Sequence, residues 1–313
     1  MSAFLCVVAA VVVNADVATS NRLEKAVRHP ALTNSAAATE YEKLLADDQA
    51  AQADVQKWKR EQKAAAKGAE AQAGLDRRIE QRLGPIDKAY ADFIRRFPND
   101  ARARLDYGCF LNEREDEAGA QVQWERALQL DPNNPDTYHN LAGRYAEIGP
   151  SKKAFDFFTK AIELNPAEPV YYHNFADALY VLRKHAITNY GLSEQQVFSR
   201  ALELYSNAVR LDPQNFGFIS DFASTYYALK PLPYEAALSA WTNALRSATN
   251  QVDREKVFLH LARVKMVAGR LAEARAQLAS VTNEASADLK TSLLRAISER
   301  EKAGTAQPEP PQK

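Results

Sequence analysis

Two passages of this chain, 34 residues apart, are nearly the same. Residues 128–145 read LQLDPNNPDTYHNLAGRY and residues 162–179 read IELNPAEPVYYHNFADAL. Each runs from an apolar residue through Leu, Asp or Asn, and Pro into a polar turn, then to Tyr-His-Asn, an apolar residue and Ala. A fixed period of this length marks a repeat architecture, in which one supersecondary unit buries its apolar face against the next. The prolines keep the same beat. Pro98, Pro132 and Pro166 are spaced by 34, and Pro213 follows after 47, one period plus 13 residues. Proline cannot continue a helix and disfavours helix at the residue before it, so each of these positions reads as a helix end.

Between the prolines, apolar residues recur at steps of three and four, the spacing of amphipathic helices. Residues 101–134 carry Leu105, Tyr107, Gly108 and Leu111, then Ala120, Trp124, Ala127 and Leu128. Residues 135–168 carry Tyr138, Leu141, Ala142 and Tyr145, then Ala154, Phe158, Ala161 and Ile162. Small residues stand where two helices would cross closely, and large ones where a gap must be filled. This pattern resembles the tetratricopeptide repeat (TPR), with an aromatic, Leu, Gly or Ala, and Tyr on helix A, and Ala, Phe, Ala and Pro on helix B. Residues 135–168 match all eight positions; residues 101–134 match seven, with Trp124 in the Phe position and Arg104 departing at the first.

The pattern continues. Residues 169–215 keep Tyr172, Phe175, Ala176, Leu179, Ala201, Tyr205, Ala208 and Pro213 around an insert near RKHAITNYGLSEQQ. Ser193 and Gln196 form a capping box there, so helix B starts near residue 194 and the insert reads as a loop or a lengthened helix A. Residues 216–250 and 251–283 read as a fourth and a fifth unit, and 284–303 as a polar capping helix. The array is expected to span 85–303, opening on an atypical half-repeat with Ile86, Tyr90 and Phe93, and to be followed by a disordered tail at 304–313. Ahead of it, 16–84 reads as a helical region. Tyr41, Leu44, Ala51, Val55 and Trp58 sit at coiled-coil-like positions interrupted by Asp48 and Gln62, which leaves a dimeric coiled coil and a helix folded back on the first repeats both open.

The expected fold class is therefore all-α, a TPR-type solenoid of helix-turn-helix repeats; the resemblance implies a right-handed superhelix with helix A of each unit lining its concave face. Equal numbers of basic and acidic residues, 40 of each, give no overall positive field for nucleic acid. The apolar run at residues 3–13 is too short to span a bilayer as a helix but suits a secretory signal cleaved after Ala15, although no Lys or Arg precedes it. Export to a bacterial envelope is the expectation, and a cytoplasmic location the alternative if this segment is not a signal. Cys6 would leave with it, and Cys109 then remains without an intramolecular disulfide partner.

The sequence carries no P-loop, no G-x-G-x-x-G, no G-x-S-x-G and no metal-ligand motif. No catalytic residue, metal or cofactor is expected. What the resemblance implies instead is a protein-interaction scaffold that binds an extended peptide or helix in the groove, or a subunit or regulator of an enzyme or assembly complex supplied in trans. By their place in the repeat, the groove positions are Asp106, His139, Asn140, His173, Asn174, Asp177, Asp221, His260 and Arg263. They read as free of packing duty, and Asn offers a donor and an acceptor to a peptide backbone. The middle of this series is acidic and its far end, with Lys256, Arg263 and Arg270, is basic. The carboxylate clamp of chaperone-cofactor TPR domains is not expected, because its places hold Leu105, Cys109, Asn140, Val170 and Asn174, of which only Asn140 fits. For the export expectation, mass spectrometry of the protein from its native host should show Asp16 as the first residue; an intact Met1 or Ser2 on cytoplasmic protein contradicts it.

Overall fold

A computed structural model describes residues 35–64 and 68–305. The proposed signal at 1–15, residues 16–34 of the expected helical region and residues 306–313 of the expected tail lie outside them, while residues 304 and 305, expected in the disordered tail, are helical. The described residues are helical without strands, no helix among them is long and apolar enough to cross a membrane, and the chain divides into two compact units between Asn165 and Pro166.

The first unit contains α1 (Ser35–Ala64), α2 (Ala69–Arg96), α3 (Ala101–Glu113), α4 (Glu117–Leu130), α5 (Pro135–Ile148) and α6 (Ser151–Leu164). The second contains α7 (Pro169–Val181), α8 (Arg183–Tyr190), α9 (Glu194–Leu211), α10 (Phe216–Thr225), α11 (Tyr234–Ser247), α12 (Gln251–Val267), α13 (Leu271–Ala279) and α14 (Ala287–Thr305). The hairpins are α3 with α4 and α5 with α6 in the first unit, and α7 with α9, α10 with α11 and α12 with α13 in the second.

The periodic prolines act as read. Asp131, Asn165 and Asp212 each precede a Pro, each has an extended backbone (φ −134°, −143° and −132°), and each ends a helix. Polar caps start several of the helices that follow. Asp100 accepts from the Ala103 N–H, Asn134 from the Asp136 and Thr137 N–H groups, and Asn215 from the Phe218 N–H. Pro135 and Pro169 sit in the first turn, where their missing N–H is not needed.

Packing inside four of the five hairpins follows one rule. A large ring on the second helix fills the space opposite a residue with little or no side chain on the first. Trp124, Phe158, Tyr205 and Trp241 are buried at the ring position, and Gly108, Ala142, Ala176 and Ala223 stand at the small position of the same hairpins. Gly108 shows how tight the fit is: a Cβ added there would stand 2.5 Å from the Trp124 ring. The Trp124 indole N–H is satisfied by the Leu105 carbonyl at 3.3 Å.

Four places depart from the sequence reading or add to it. In the first, α1 lies on α2 within one chain, and Tyr41, Leu44 and Val55 share a core with Leu83, Ile86, Tyr90 and Phe93. Asp48, which reads as a break in the apolar seam, is buried and accepts from the Tyr90 hydroxyl at 2.8 Å. In the second, α2 runs unbroken through Pro85, where the array was expected to begin. In the third, the insert of the 169–215 unit is a separate short helix, α8, rather than a loop or an extension of α7. It stops at Gly191, which takes the left-handed conformation (φ 65°) that glycine adopts without steric penalty. The capping box Ser193–Gln196 is present and starts α9 at Glu194. The neighbouring Gln195 amide donates to the Ala228 carbonyl at 3.2 Å and accepts from the Lys230 N–H at 2.8 Å, tying the start of α9 to the turn of the next hairpin.

The fourth is Glu255, a buried carboxylate on α12. It receives the Gln251 amide, the Thr282 N–H and hydroxyl and the Asn283 N–H, and so fixes the chain between α13 and α14. These donors, Gln251 foremost, hold its carboxyl down at about 2. The ring-over-small-residue rule predicts that Trp124→Ala and Phe158→Ala each destabilise by about 3–5 kcal/mol, because a buried ring is deleted and a void is left. Gly108→Ala should destabilise as well, since the added carbon has no room. Urea unfolding midpoints measure all three, and a midpoint unchanged from wild type would contradict this packing.

Candidate functional site

The expected groove residues prove to be engaged by the fold itself. In the first unit the Tyr41 hydroxyl of α1 donates to Asp106 Oδ2, and the Arg102 guanidinium lies over the Tyr41 ring at 4.2 Å. The Asn140 amide donates to Cys109 Sγ on α3 at 3.2 Å. His139 is buried, with its ring edge-on to Phe158 at 5.9 Å and an interplanar angle of 66°.

In the second unit His173 repeats this arrangement. It is buried and meets the Tyr205 ring at 5.4 Å, again at 66°. This corrects the expectation that His139 and His173 have no packing duty. In each hairpin the imidazole rests against the large ring of the second helix, an aromatic contact worth about 0.5–1.5 kcal/mol beyond burial. The repeated His therefore has a structural cause in both units. Asn174, also expected to be free, is buried, and its Oδ1 lies 3.2 Å from His173 Nδ1.

His173 makes further contacts. Its ring also packs on Phe218 of α10 at 4.7 Å, and its Nε2 lies 2.9 Å from Asp221 Oδ2. Asp177, one turn along α7, places its Oδ2 3.5 Å from His173 Nδ1. The Tyr205 hydroxyl donates to the other Asp177 oxygen. The two carboxylates remain reachable from solvent, with side-chain exposures of 31% for Asp177 and 50% for Asp221. Four of the nine expected residues thus meet in one cluster between α7 and α10.

The electrostatics follow from burial and from these partners. For His173, desolvation disfavours the charged ring, yet the Asp221 hydrogen bond and the charges of Asp177 and Asp221 outweigh it and raise the pKa. Burial raises Asp177 against the pull of His173 and the Tyr205 hydrogen bond. Burial and the Asp177 charge push the Tyr205 hydroxyl well above its ordinary value. Ligand atoms of His173, Asp177 and Asp221 lie within 4.8 Å of one another, close enough to raise the question of a cation.

The last two expected residues form a separate group in the same unit. His260 stacks flat on Trp241, centroids 4.0 Å apart and planes within 3°. The Tyr227 hydroxyl lies 3.3 Å from His260 Nδ1, and the Arg263 guanidinium lies 4.4 Å over the Tyr227 ring. Burial, and then the Arg263 charge, drive His260 down to about 4, so it is neutral at pH 7. The basic far end expected from Lys256 and Arg270 is offset locally: Lys256 pairs with Asp253 at 3.1 Å and Arg270 with Glu273 at 2.6 Å. Tyr205, Tyr227, Trp241 and Phe218 complete these groups. Of these, Tyr205 and Trp241 were legible as ring positions of the repeat, and Phe218 and Tyr227 carried no signal of this role.

No family model and no curated protein matches the chain. Among solved structures, YrrB, a TPR protein with an unusual peptide-binding site, aligns over 69% of this chain and 99% of its own, at 16% identity and a TM-score of 0.52. MamA aligns over 67% of this chain and 98% of its own at 17% identity (TM-score 0.47), and pilF of Pseudomonas aeruginosa over 66% and 87% at 20% identity (TM-score 0.48). At such identities the likeness is one of fold, and the fold of this chain is the TPR type.

The neutral, buried His260 generates a pH prediction. An unfolded chain binds a proton there below about 6.5, whereas the folded chain resists until about 4. Stability should therefore fall as the pH drops through that interval, by on the order of 2–3 kcal/mol at the bottom. His260→Phe should flatten this part of the profile, read as urea midpoints at pH 7 and 4.5; a variant that loses stability in parallel with wild type over this range contradicts the assignment.

Proposed function

We propose that the chain is a non-catalytic protein-binding scaffold, and that the second unit takes an extended, positively charged segment of a partner protein against Asp177 and Asp221. One observation carries this reading. Two carboxylates from the first helices of consecutive hairpins are brought together at a half-open site, where helix packing alone does not call for charge. Buried or half-buried carboxylates are unfavourable unless matched; His173 supplies at most one positive charge to the two, and a Lys or Arg from outside would match the second. YrrB is described as having an unusual peptide-binding site; it shares the fold, and the site proposed here rests on this chain's own residues. If residues 1–15 act as an export signal, the partner belongs to the bacterial envelope.

Labelled decapeptides with Lys and Arg at the centre, and matched neutral and acidic peptides, test the reading by fluorescence anisotropy. The cationic set should bind, more weakly as salt rises. The double variant Asp177→Asn, Asp221→Asn should weaken binding about tenfold or more, equivalent to roughly 1.4 kcal/mol. Circular dichroism checks that the variant keeps its helix content. Equal affinity for all three peptide sets, or no binding by any, contradicts the proposal.

A further inference from the structure

The His173 imidazole has acceptor oxygens at both ring nitrogens. Asp221 Oδ2 stands 2.9 Å from Nε2, while Asn174 Oδ1 and Asp177 Oδ2 stand 3.2 and 3.5 Å from Nδ1. A neutral imidazole has one N–H, so on one of these sides a lone pair would face an oxygen. Turning the Asn174 amide end for end does not remove the conflict, because the Asp177 carboxylate still stands on the Nδ1 side. A positive charge on the ring removes it, and that charge comes from either a second proton or a metal ion. An ion takes a single ring nitrogen and gathers its other ligands around that point. Here each carboxylate stands against a different ring nitrogen, the arrangement that a proton on each nitrogen satisfies.

We propose that His173 is a proton-operated latch: doubly protonated, it ties Asp177 on its own helix to Asp221 on α10, and the loss of one proton leaves a single N–H for two carboxylates and loosens the tie between α7 and α10. The groups that face it are Asn174 and Asp177 from α7, Tyr205 from α9, and Phe218 and Asp221 from α10. The Tyr205 hydroxyl, held on one Asp177 oxygen, leaves the other toward the ring. The net effect of these groups is to keep the ring charged above its ordinary value of 6.5. A histidine with a raised folded pKa contributes stability that is fully present below the unfolded value and is lost as pH rises through the folded one. The latch therefore holds in mild acid and releases on the alkaline side of 6.5, opposite in sign to His260. Release also leaves Asp177 and Asp221 with no internal cation. A cationic segment should then bind more tightly at pH 8 than at pH 6, a consequence that rests on the peptide-binding reading, as the latch itself does not.

Ring-resolved ¹⁵N spectra of the full chain, recorded from pH 5 to 9 with and without ZnCl₂, test the latch. His173 is expected to lose its second ring proton only above 6.5, with no change on adding zinc. Wild-type Tm should fall by a few degrees between pH 6.5 and 8.5, and the fall should vanish in His173→Gln and shrink in Asp221→Asn. Should His173→Gln fail to fold, the wild-type titration decides. A ring that titrates at or below 6.5 overturns the proposal, and so does one equivalent of zinc that displaces a ring proton and raises Tm, which would make the cluster a metal centre. N-acetylated hexalysine amide, whose charge is constant between pH 6 and 8, probes the consequence for binding. If the ring titrates as expected and hexalysine binds at neither pH, the peptide-binding reading fails and the latch stands.

Discussion

Four of the five helical hairpins depend on a large ring being seated where the facing helix has almost no side chain. The Gly108–Trp124 pair shows the constraint most directly, because there is no space for one added carbon. Close approach of the backbones follows, and it sets the direction in which the flanking side chains leave the helix. The imidazoles of His139 and His173 meet the rings of Phe158 and Tyr205 at the same 66° because the hairpins are built on this one template. The same ring that fills the core thus orients the residue beside the candidate site. Tyr205 does both: its ring is buried core, and its hydroxyl holds Asp177.

From that template the second unit draws a polar cluster that the first does not share. In α5 the residue one turn beyond His139 is Gly143, where α7 has Asp177 beyond His173. The sequence repeats the His-Asn pair, but His173 has Asp177 one turn on along its own helix and Asp221 from the next hairpin against its two ring nitrogens. Chemistry in this fold therefore resides in the exceptions to the repeat rather than in the repeat.

The same distinction explains what could be read in advance. Helix positions, the Pro-ended turns, the polar caps, the Ser193–Gln196 box and the ring and small-residue positions are local or periodic, and each follows from spacing along the chain. Non-local pairings left no such trace. Tyr41 reaches Asp106 across 65 residues and His173 reaches Asp221 across 48, and no local rule joins them. The His-Asn positions were read as solvent-facing because the repeat pattern does not demand them. His139, His173 and Asn174 are nevertheless buried, the two imidazoles against the rings of Phe158 and Tyr205. Asp48 was legible as a flaw in an apolar seam, and it is a flaw only until the Tyr90 hydroxyl is placed against it.

Gln195 gives the third hairpin a property that the others lack. Its amide pairs with one carbonyl and one N–H of the 228–230 turn, as a strand neighbour would, and so joins the end of an insertion to a loop in the following repeat. An array of identical units tolerates lengthening at any turn, since each loop answers only to itself. Here two loops share a seam, and the length of one is gauged against the other. Natural variation in this segment should then come in matched pairs, with residues gained or lost before α9 accompanied by changes after α10, and the two turns inherited as one piece.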